Sequence, residues 1–557
     1  MKTLDFITII LFTAGILLCG TLFSKSGKNM KSFFSAGGAI PWPMAGLSLF
    51  MGFFSAGTFV VWGSIAYSAG WVAVMIQWTM CLAGLLVGLF IAAKWRKTGA
   101  LTAAEYIRSR LGVSTQKAYT ILFLFVSMFT TGSFLYPVGK ILEISTGLPL
   151  YICIIMIGLI SVLYVAAGGL RAVVVTDVLQ FVILFAAVLI VIPLAFQRVD
   201  GVRSWMAHVP ENFFSPVNSE YSWGFMISYC LYNAVFLGGN WAYVQRYTTV
   251  KDAPSARKVG LLFSFLYTFC PILWMLPPMI YRVVNPSLEG LGDEGAYLLM
   301  CKEVLPAGIL GLMIGGMVFA TASSLNATLN ISSAVFTNDV FKRLRPQSSE
   351  QSLMRVARCS TVGFGLLAIV VALLIPSFGG VVNVVISIGS LTGVPLYLPV
   401  IWSLFSKRQT GRSVLSVTLI SLGVNLFFKF VSPALLGISL SRAQEMILGV
   451  GFPFVCLAVY EVYAALTGKS IHQYFAYTQE RASKVQPETK QPTTEDKKDN
   501  AFSIKVAGAG ILLSAIVIAL LGILSDRGTS VVVGIAALMA AIGLSIFLIG
   551  RKKAKLI

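Results

Sequence analysis

The chain has 557 residues, 57% of them hydrophobic and only 11% charged, with a mean hydropathy of +0.83. A soluble globular domain needs more polar cover than this, so the composition points to an all-α polytopic membrane protein. The net charge of +20 sits mostly in the connections between apolar runs, which argues for membrane topology and lipid contact and against a nucleic-acid partner.

About fifteen runs are long and apolar enough to span a roughly 30 Å hydrocarbon core. The first, 6–22, has Lys2 and Asp5 before it and Lys25, Lys28 and Lys31 behind it. These flanks predict a retained helix, which with its loop forms a 1–40 unit. Next come 41–69, 71–94, 118–142, 149–168 and 172–196, a first set of five within 41–196. The segments 223–246, 257–281, 305–335, 356–376 and 380–404 make a second set within 223–404. Two further spans occupy 405–466, at 412–432 and 443–466. The polar stretch 467–502, containing KVQPETKQPTTEDKKDN, reads as a disordered cytoplasmic linker. A hairpin of 503–525 and 529–550 and the basic tail Arg551, Lys552, Lys553 and Lys555 complete 503–557. With the N-terminus outside and the C-terminus cytoplasmic, most of the 42 Lys and Arg face the cytoplasm. An odd number of spans per set makes the second set inverted relative to the first.

The opening span of each set is interrupted at similar depth. PWPMAGLSLFMGFFSAGTFVVWGS places Gly52, Ser55, Ala56 and Gly57 near the midplane, and CLYNAVFLGGNWAYVQRY does the same with Gly238, Gly239 and Asn240. Paired, glycine-interrupted helices in inverted repeats are the sequence mark of a transporter's central site. A gentle glycine bend is the alternative for either helix alone; the matched pair favours unwinding.

The stretch 315–339, GGMVFATASSLNATLNISSAVFTND, is apolar yet carries Thr321, Ser323, Ser324, Asn326, Thr328 and Asn330. Polar groups in hydrocarbon need a partner helix, a cavity or an ion. On a helix Ala320, Ser323 and Ser324 share one face and offer one carbonyl and two hydroxyl oxygens. Unwinding before Ser55–Gly57 frees the carbonyls of Met51 and Phe54, completing a five-oxygen set for a hard cation such as sodium. Lubrication of a helix–helix contact is the competing reading of the same hydroxyls.

Three segments, GGLRAVVVTDVLQ (168–180), NWAYVQRY (240–247) and ATASSLNATLNISSAVFTND (320–339), resemble the sodium/solute symporter family, which includes sodium–glucose, sodium–proline and sodium–sialic acid transporters. The likeness covers residues 1 to 466 and leaves the C-terminal hairpin outside. It implies a LeuT-like core, an inverted repeat of two five-helix units with extra flanking helices, working by alternating access on a sodium gradient. The family's common sodium site falls on Met51, Phe54, Ala320, Ser323 and Ser324. A second sodium site of some members uses the Asp of TDVLQ, here Asp177, with two hydroxyl residues after the Ser pair. This chain has Asn326 and Ala327 there, so Asp177 is left to a second ion, to ion release, or to pairing with Thr176 or Arg171.

Sugar contacts in the family map onto Gln77, Asn233, Tyr267 and Ser387, each of which competes with a plain interhelical hydrogen bond. Tyr267 stands where sugar-transporting relatives often have Lys. Phe236 and Trp241 are candidates for stacking or gating, or for simple packing. Lys140 either pairs with Glu143 one turn on or receives a substrate carboxylate.

The expected activity is sodium-coupled symport of a small polar organic solute by a monomer in the cell membrane. Sugars or polyols are favoured, then carboxylated sugars such as sialic acids or uronates. Proton-coupled or uncoupled transport on the same fold is the alternative. An intramembrane enzyme is disfavoured, because both histidines lie in connections and no acidic pair lies within a span. Sodium is the expected coupling ion, with no organic cofactor.

Overall fold

A computed structural model describes residues 1–22, 40–100, 102–164, 170–288, 290–468, 471–483, 494–525 and 527–555. The described residues are helical throughout, apart from turns, loops and one isolated bridge between Ile40 and Val250. With no water to satisfy backbone groups in hydrocarbon, a helix closes its own hydrogen bonds, and apolar runs of this length adopt it. Ten helices among the described residues are long and apolar enough to cross a membrane, including Val72–Thr98, Val113–Thr146, Ala253–Val284 and Val381–Ser403. Shorter apolar helices include Trp42–Met51, Thr58–Ala69 and Ile309–Thr321.

The two sets of five pack in matched pairs. Trp42–Met51 of the first set lies on Ala253–Val284, and its counterpart Trp223–Gly239 lies on Val72–Leu86. Leu170–Arg198 packs on Trp42–Met51 just as Val394–Ser403 packs on Trp223–Gly239. The self-corresponding pairs, Val72–Leu86 with Ala253–Val284 and Val113–Thr146 with Ile309–Val335, also touch. Each set supplies its opening helix to the other, which an inverted repeat requires.

Glycine sets the closest of these approaches. A Cβ on Gly260 would lie 2.6 Å from the Cα of Gly88, and one on Gly88 would lie 2.9 Å from the backbone nitrogen of Leu261. Small residues let membrane helices meet backbone to backbone, where dispersion and packing replace the hydrophobic effect.

The flanking helices grip this core. Asp5, at the start of Thr3–Leu22, accepts backbone hydrogen bonds from Gly308 (2.6 Å) and Gly311 (3.2 Å), so it caps the Ile309–Val335 helix from outside. Thr8 donates to the Gly308 carbonyl at 2.9 Å. The C-terminal helices Thr494–Ile523 and Thr529–Lys555 pair with each other and lean on Leu170–Arg198.

The expected linker differs from the sequence reading. Within 467–502 the chain forms His472–Ser483, and the next helix begins at Thr494. The reason is aromatic content. Tyr477 meets Tyr106 edge-on at 6.0 Å, and the Tyr474 ring lies 5.2 Å from the buried Arg110 guanidinium. Polarity and charge dominated the reading of this stretch and hid that apolar face. Residues 484–493 lie outside the described ones.

Gly260→Val should destabilise the protein by about 1–3 kcal/mol through overpacking against backbone that cannot yield. Thermal unfolding of purified protein checks this, and an unchanged transition would mean that the two helices do not approach as closely.

Candidate functional site

The site begins with a helix that stops halfway. Trp42–Met51 ends and residues 52–55 form an irregular turn before helix resumes. In a continuous helix the N–H groups of Ser55, Ala56 and Thr58 would bond the carbonyls of Met51, Gly52 and Phe54. Here Ser55 N–H points to the Thr58 hydroxyl (3.2 Å), and Ala56 N–H crosses to Thr321 Oγ1 (2.9 Å). Thr58 N–H turns to the Ser55 carbonyl (2.9 Å), while its hydroxyl donates to the Phe53 carbonyl. The carbonyls of Met51 and Phe54 thus lose their helical donors, as expected from the glycines.

The second break lies one residue later than the glycines themselves. Trp223–Gly239 ends at Asn240, whose ψ of 128° is extended, and Trp241–Thr248 follows. Asn240 Oδ1 caps the new helix by accepting from Ala242 N–H (3.0 Å), and its Nδ2 donates to Tyr397 (3.3 Å). Gly238 and Gly239 serve close packing: added Cβ atoms would lie 2.9 Å from Ile91 and 2.6 Å from Tyr397.

Two adjoining cavities flank these breaks. The larger, about 140 Å³, is lined by residues of both broken helices and of Val72–Thr98, Val113–Thr146, Ala253–Val284 and Val381–Ser403. A space of this size holds several waters, each taking about 30 Å³ in the liquid, or a small organic solute in their place. Gln77, Asn233 and Tyr267 all line it, together with Phe236. Asn233 also donates to Thr79 at 2.8 Å, which fixes the amide. Ser387 does not line this cavity. The helical face turned to it is Val385, Ile388, Gly389, Thr392 and Gly393, and Ser387 points elsewhere. Thr130, Ser133 and Thr392 supply hydroxyls that the sequence reading missed, as do Tyr229 and Tyr232. Their signal was the spacing of Tyr229, Tyr232 and Phe236 on one helical face, which ordinary core packing also produces. None of the described residues lining this cavity is charged.

The smaller cavity, about 60 Å³, shares Gly52, Thr130, Phe236 and Tyr397 with the larger one and adds Ser48, Met51, Asp177, Arg246, Ser324 and Thr328. Met51 and Ser324 therefore face one space, and the Ala56–Thr321 bond holds the first break against the Ile309–Val335 helix next to buried Ala320. The side chains of Ser323, Asn326 and Ala327 lie outside the described residues. Asp177 accepts a 2.6 Å hydrogen bond from Ser48 Oγ, a partner on the first broken helix that the sequence reading did not name.

Trp241 lines neither cavity. It stacks on Phe123 with centroids 4.4 Å apart and planes within 7°. Lys140 pairs with Glu143 at 2.9 Å, away from both cavities.

Comparison with known proteins agrees with this architecture. Residues 33–420 match the model of the sodium:solute symporter family. The chain is 26% identical to the sodium/glucose cotransporter of Vibrio parahaemolyticus over 82% of this chain and 90% of that one. It is 28% identical to the sodium/myo-inositol cotransporter 2 of Sus scrofa, covering 76% and 69%, and 26% identical to the sodium/sialic acid symporter of Proteus mirabilis, covering 74% and 86%. A solved sodium-coupled sialic acid symporter superposes with a TM-score of 0.69 at 24% identity, over 83% of this chain and 98% of that one. The LeuT-like inverted repeat is thus the fold of this chain.

Thr321→Val removes the acceptor of a buried backbone N–H and should lower stability by about 1–3 kcal/mol. Thr321→Ser should restore most of it, and thermal unfolding of both variants reads the difference.

Proposed function

This chain belongs to the sodium:solute symporter family, and we propose that it carries a small, neutral, hydroxyl-rich solute of the sugar or polyol class together with sodium across the cell membrane. The observation that carries the solute class is the larger cavity, where amides, hydroxyls and tyrosines meet without a charged side chain among the described residues. Amides both donate and accept, so Gln77 and Asn233 suit hydroxyl groups, while Tyr229, Tyr232 and Tyr267 offer ring faces to the apolar side of a sugar. A sialic acid or uronate would bring a carboxylate into this space with no cation to receive it, and Lys140 is taken by Glu143. The carboxylated class is therefore the second reading, kept because sialic acid symporters are among the similar proteins.

Sodium is assigned to Met51, Phe54, Ala320, Ser323 and Ser324. The redirected N–H groups around residues 52–58 support the carbonyl part of that set, and the shared cavity supports Ser324. Bound there, sodium fixes the broken helix against Ile309–Val335, and the break also forms one wall of the larger cavity. Ion binding and solute binding thus act on the same backbone. Entry of one charge down the membrane potential contributes about 2.3 kcal/mol per 100 mV. Asp177, on the smaller cavity with Arg246, is assigned to ion release. The charge bias of the connections supports an outside N-terminus and a cytoplasmic C-terminus.

Counterflow in liposomes with a panel of labelled sugars, polyols and sugar acids, with and without sodium, tests the reading. A neutral polyol taken up only with sodium is expected; uptake driven by a proton gradient alone would overturn sodium coupling. Ser323→Ala and Ser324→Ala should each raise the sodium concentration for half-maximal uptake about 5- to 100-fold, from the loss of a buried polar partner of roughly 1–3 kcal/mol. Asn233→Ala should weaken solute affinity and leave sodium dependence nearly unchanged.

A further inference from the structure

A transporter's central cavity opens to each side in turn, and on the side of the 285–308 connection one short turn of chain is bonded to three of the elements that wall the larger cavity. Glu294, only 2% exposed, lies in the short turn Gly290–Gly295. Its Oε2 accepts from the Tyr136 hydroxyl at 2.8 Å, and its Oε1 accepts from the backbone N–H of Val381 at 2.9 Å. Val381 is the first residue of the Val381–Ile388 helix, so this carboxylate caps a helix of another part of the chain, where the helix dipole favours negative charge. The neighbouring Asp293 accepts from Ser64 Oγ at 2.8 Å.

The three partners sit just beyond residues that wall the cavity. Ser64 follows Val61 and Trp62, Tyr136 follows Ser133 and Phe134, and Val381 lies one turn before Val385. One turn of chain therefore ties three walls together at one end. Burial raises both carboxyls from their usual values, opposed in part by their hydrogen bonds to Ser64, Val381 and Tyr136 and then by the positive charge of Lys140. Of the two sequence readings of Lys140, the pair with Glu143 is the one present, so its charge serves the chain's own acids. Two adjacent carboxylates, one of them fully buried, held between them by three different helices are an expensive arrangement for a passive connection. Solvent is the alternative partner for these groups, and Glu294 is buried from it while the walls are together.

We propose that Asp293 and Glu294 are the latch of the gate at this end, with Glu294 the positioning residue that holds the Val381–Ser403 helix over the cavity. The proposal rests on the transporter reading and not on the identity of the solute or ion. It requires that Glu294 lose Val381 and Tyr136 each time the cavity opens to this side.

The test places a reporter thiol at Thr392 (Thr392→Cys) in a cysteine-free background and measures its modification by a membrane-impermeant thiol reagent. Right-side-out and inverted vesicles are compared, without solute. Glu294→Ala should speed modification at least tenfold from the side of the 285–308 connection and not from the other. Glu294→Gln, which can still accept from Val381 N–H, should fall below threefold. Tyr136→Phe, which removes one donor and little else, should lie between and carries the test if the Ala variant does not reach the membrane. Unchanged rates in Tyr136→Phe and Glu294→Ala, or equal acceleration from both sides, would overturn the latch. Because accessibility is read without transport, loss of sodium dependence in the counterflow assay would overturn the coupling reading and leave this result standing.

Discussion

A buried backbone hydrogen-bonding group must find a partner, and in a membrane almost none is available outside the helix itself. The centre of this protein depends on one controlled exception. At residues 52–55 the first helix of the repeat gives up its own ladder, and Thr58 and Thr321 take over the freed N–H groups. Because Thr321 belongs to the opposite repeat, the exception also fastens the two halves together. Carbonyls thus become available at midmembrane depth without leaving the corresponding donors unsatisfied. Without the two threonines the same glycines would give a loose kink.

Charge is distributed with the same restraint. The larger cavity is lined, among the described residues, by neutral groups only, whereas acid and base flank it on either side. Asp177 and Arg246 face the smaller cavity next to one break, and Asp293, Glu294 and Lys140 gather beyond the other end. The middle of the molecule thus keeps a space free of the protein's own charges among the described residues, and charged groups stand where helices meet. Low dielectric makes this placement decisive, since an unpaired charge in the middle would cost far more than at the ends.

The repeat and its two breaks were legible in the sequence because they rest on local features: apolar run length, glycine in an otherwise bulky helix, and a hydroxyl-rich face. Gln77 and Asn233 were equally visible as amides in apolar surroundings. What was not legible depended on rotation or on partners far along the chain. Ser387 and Thr392 are both hydroxyl residues of one helix, and only the observed helical face separates them. Ser48 as partner of Asp177, and Val381 as partner of Glu294, are tertiary facts with no local trace. The helix His472–Ser483 was hidden by the polarity of its neighbours, although its tyrosines carry the docking.

The cap that Asp5 places on Ile309–Val335 has a consequence for biogenesis. Its partner Gly308 lies 303 residues further along the chain. At about 5–20 residues per second of synthesis, the first helix resides in the membrane for roughly 15–60 s before that partner exists. During this interval Oδ2 has the nearby Lys2 N–H, while Oδ1 has neither of its final donors. The N-terminal helix therefore enters the bilayer as an unfinished surface, with a carboxylate at one end and a contact face awaiting Gly311. Its docking can be completed only after the first repeat and half of the second have been made, so this helix waits in the bilayer for a partner synthesised much later.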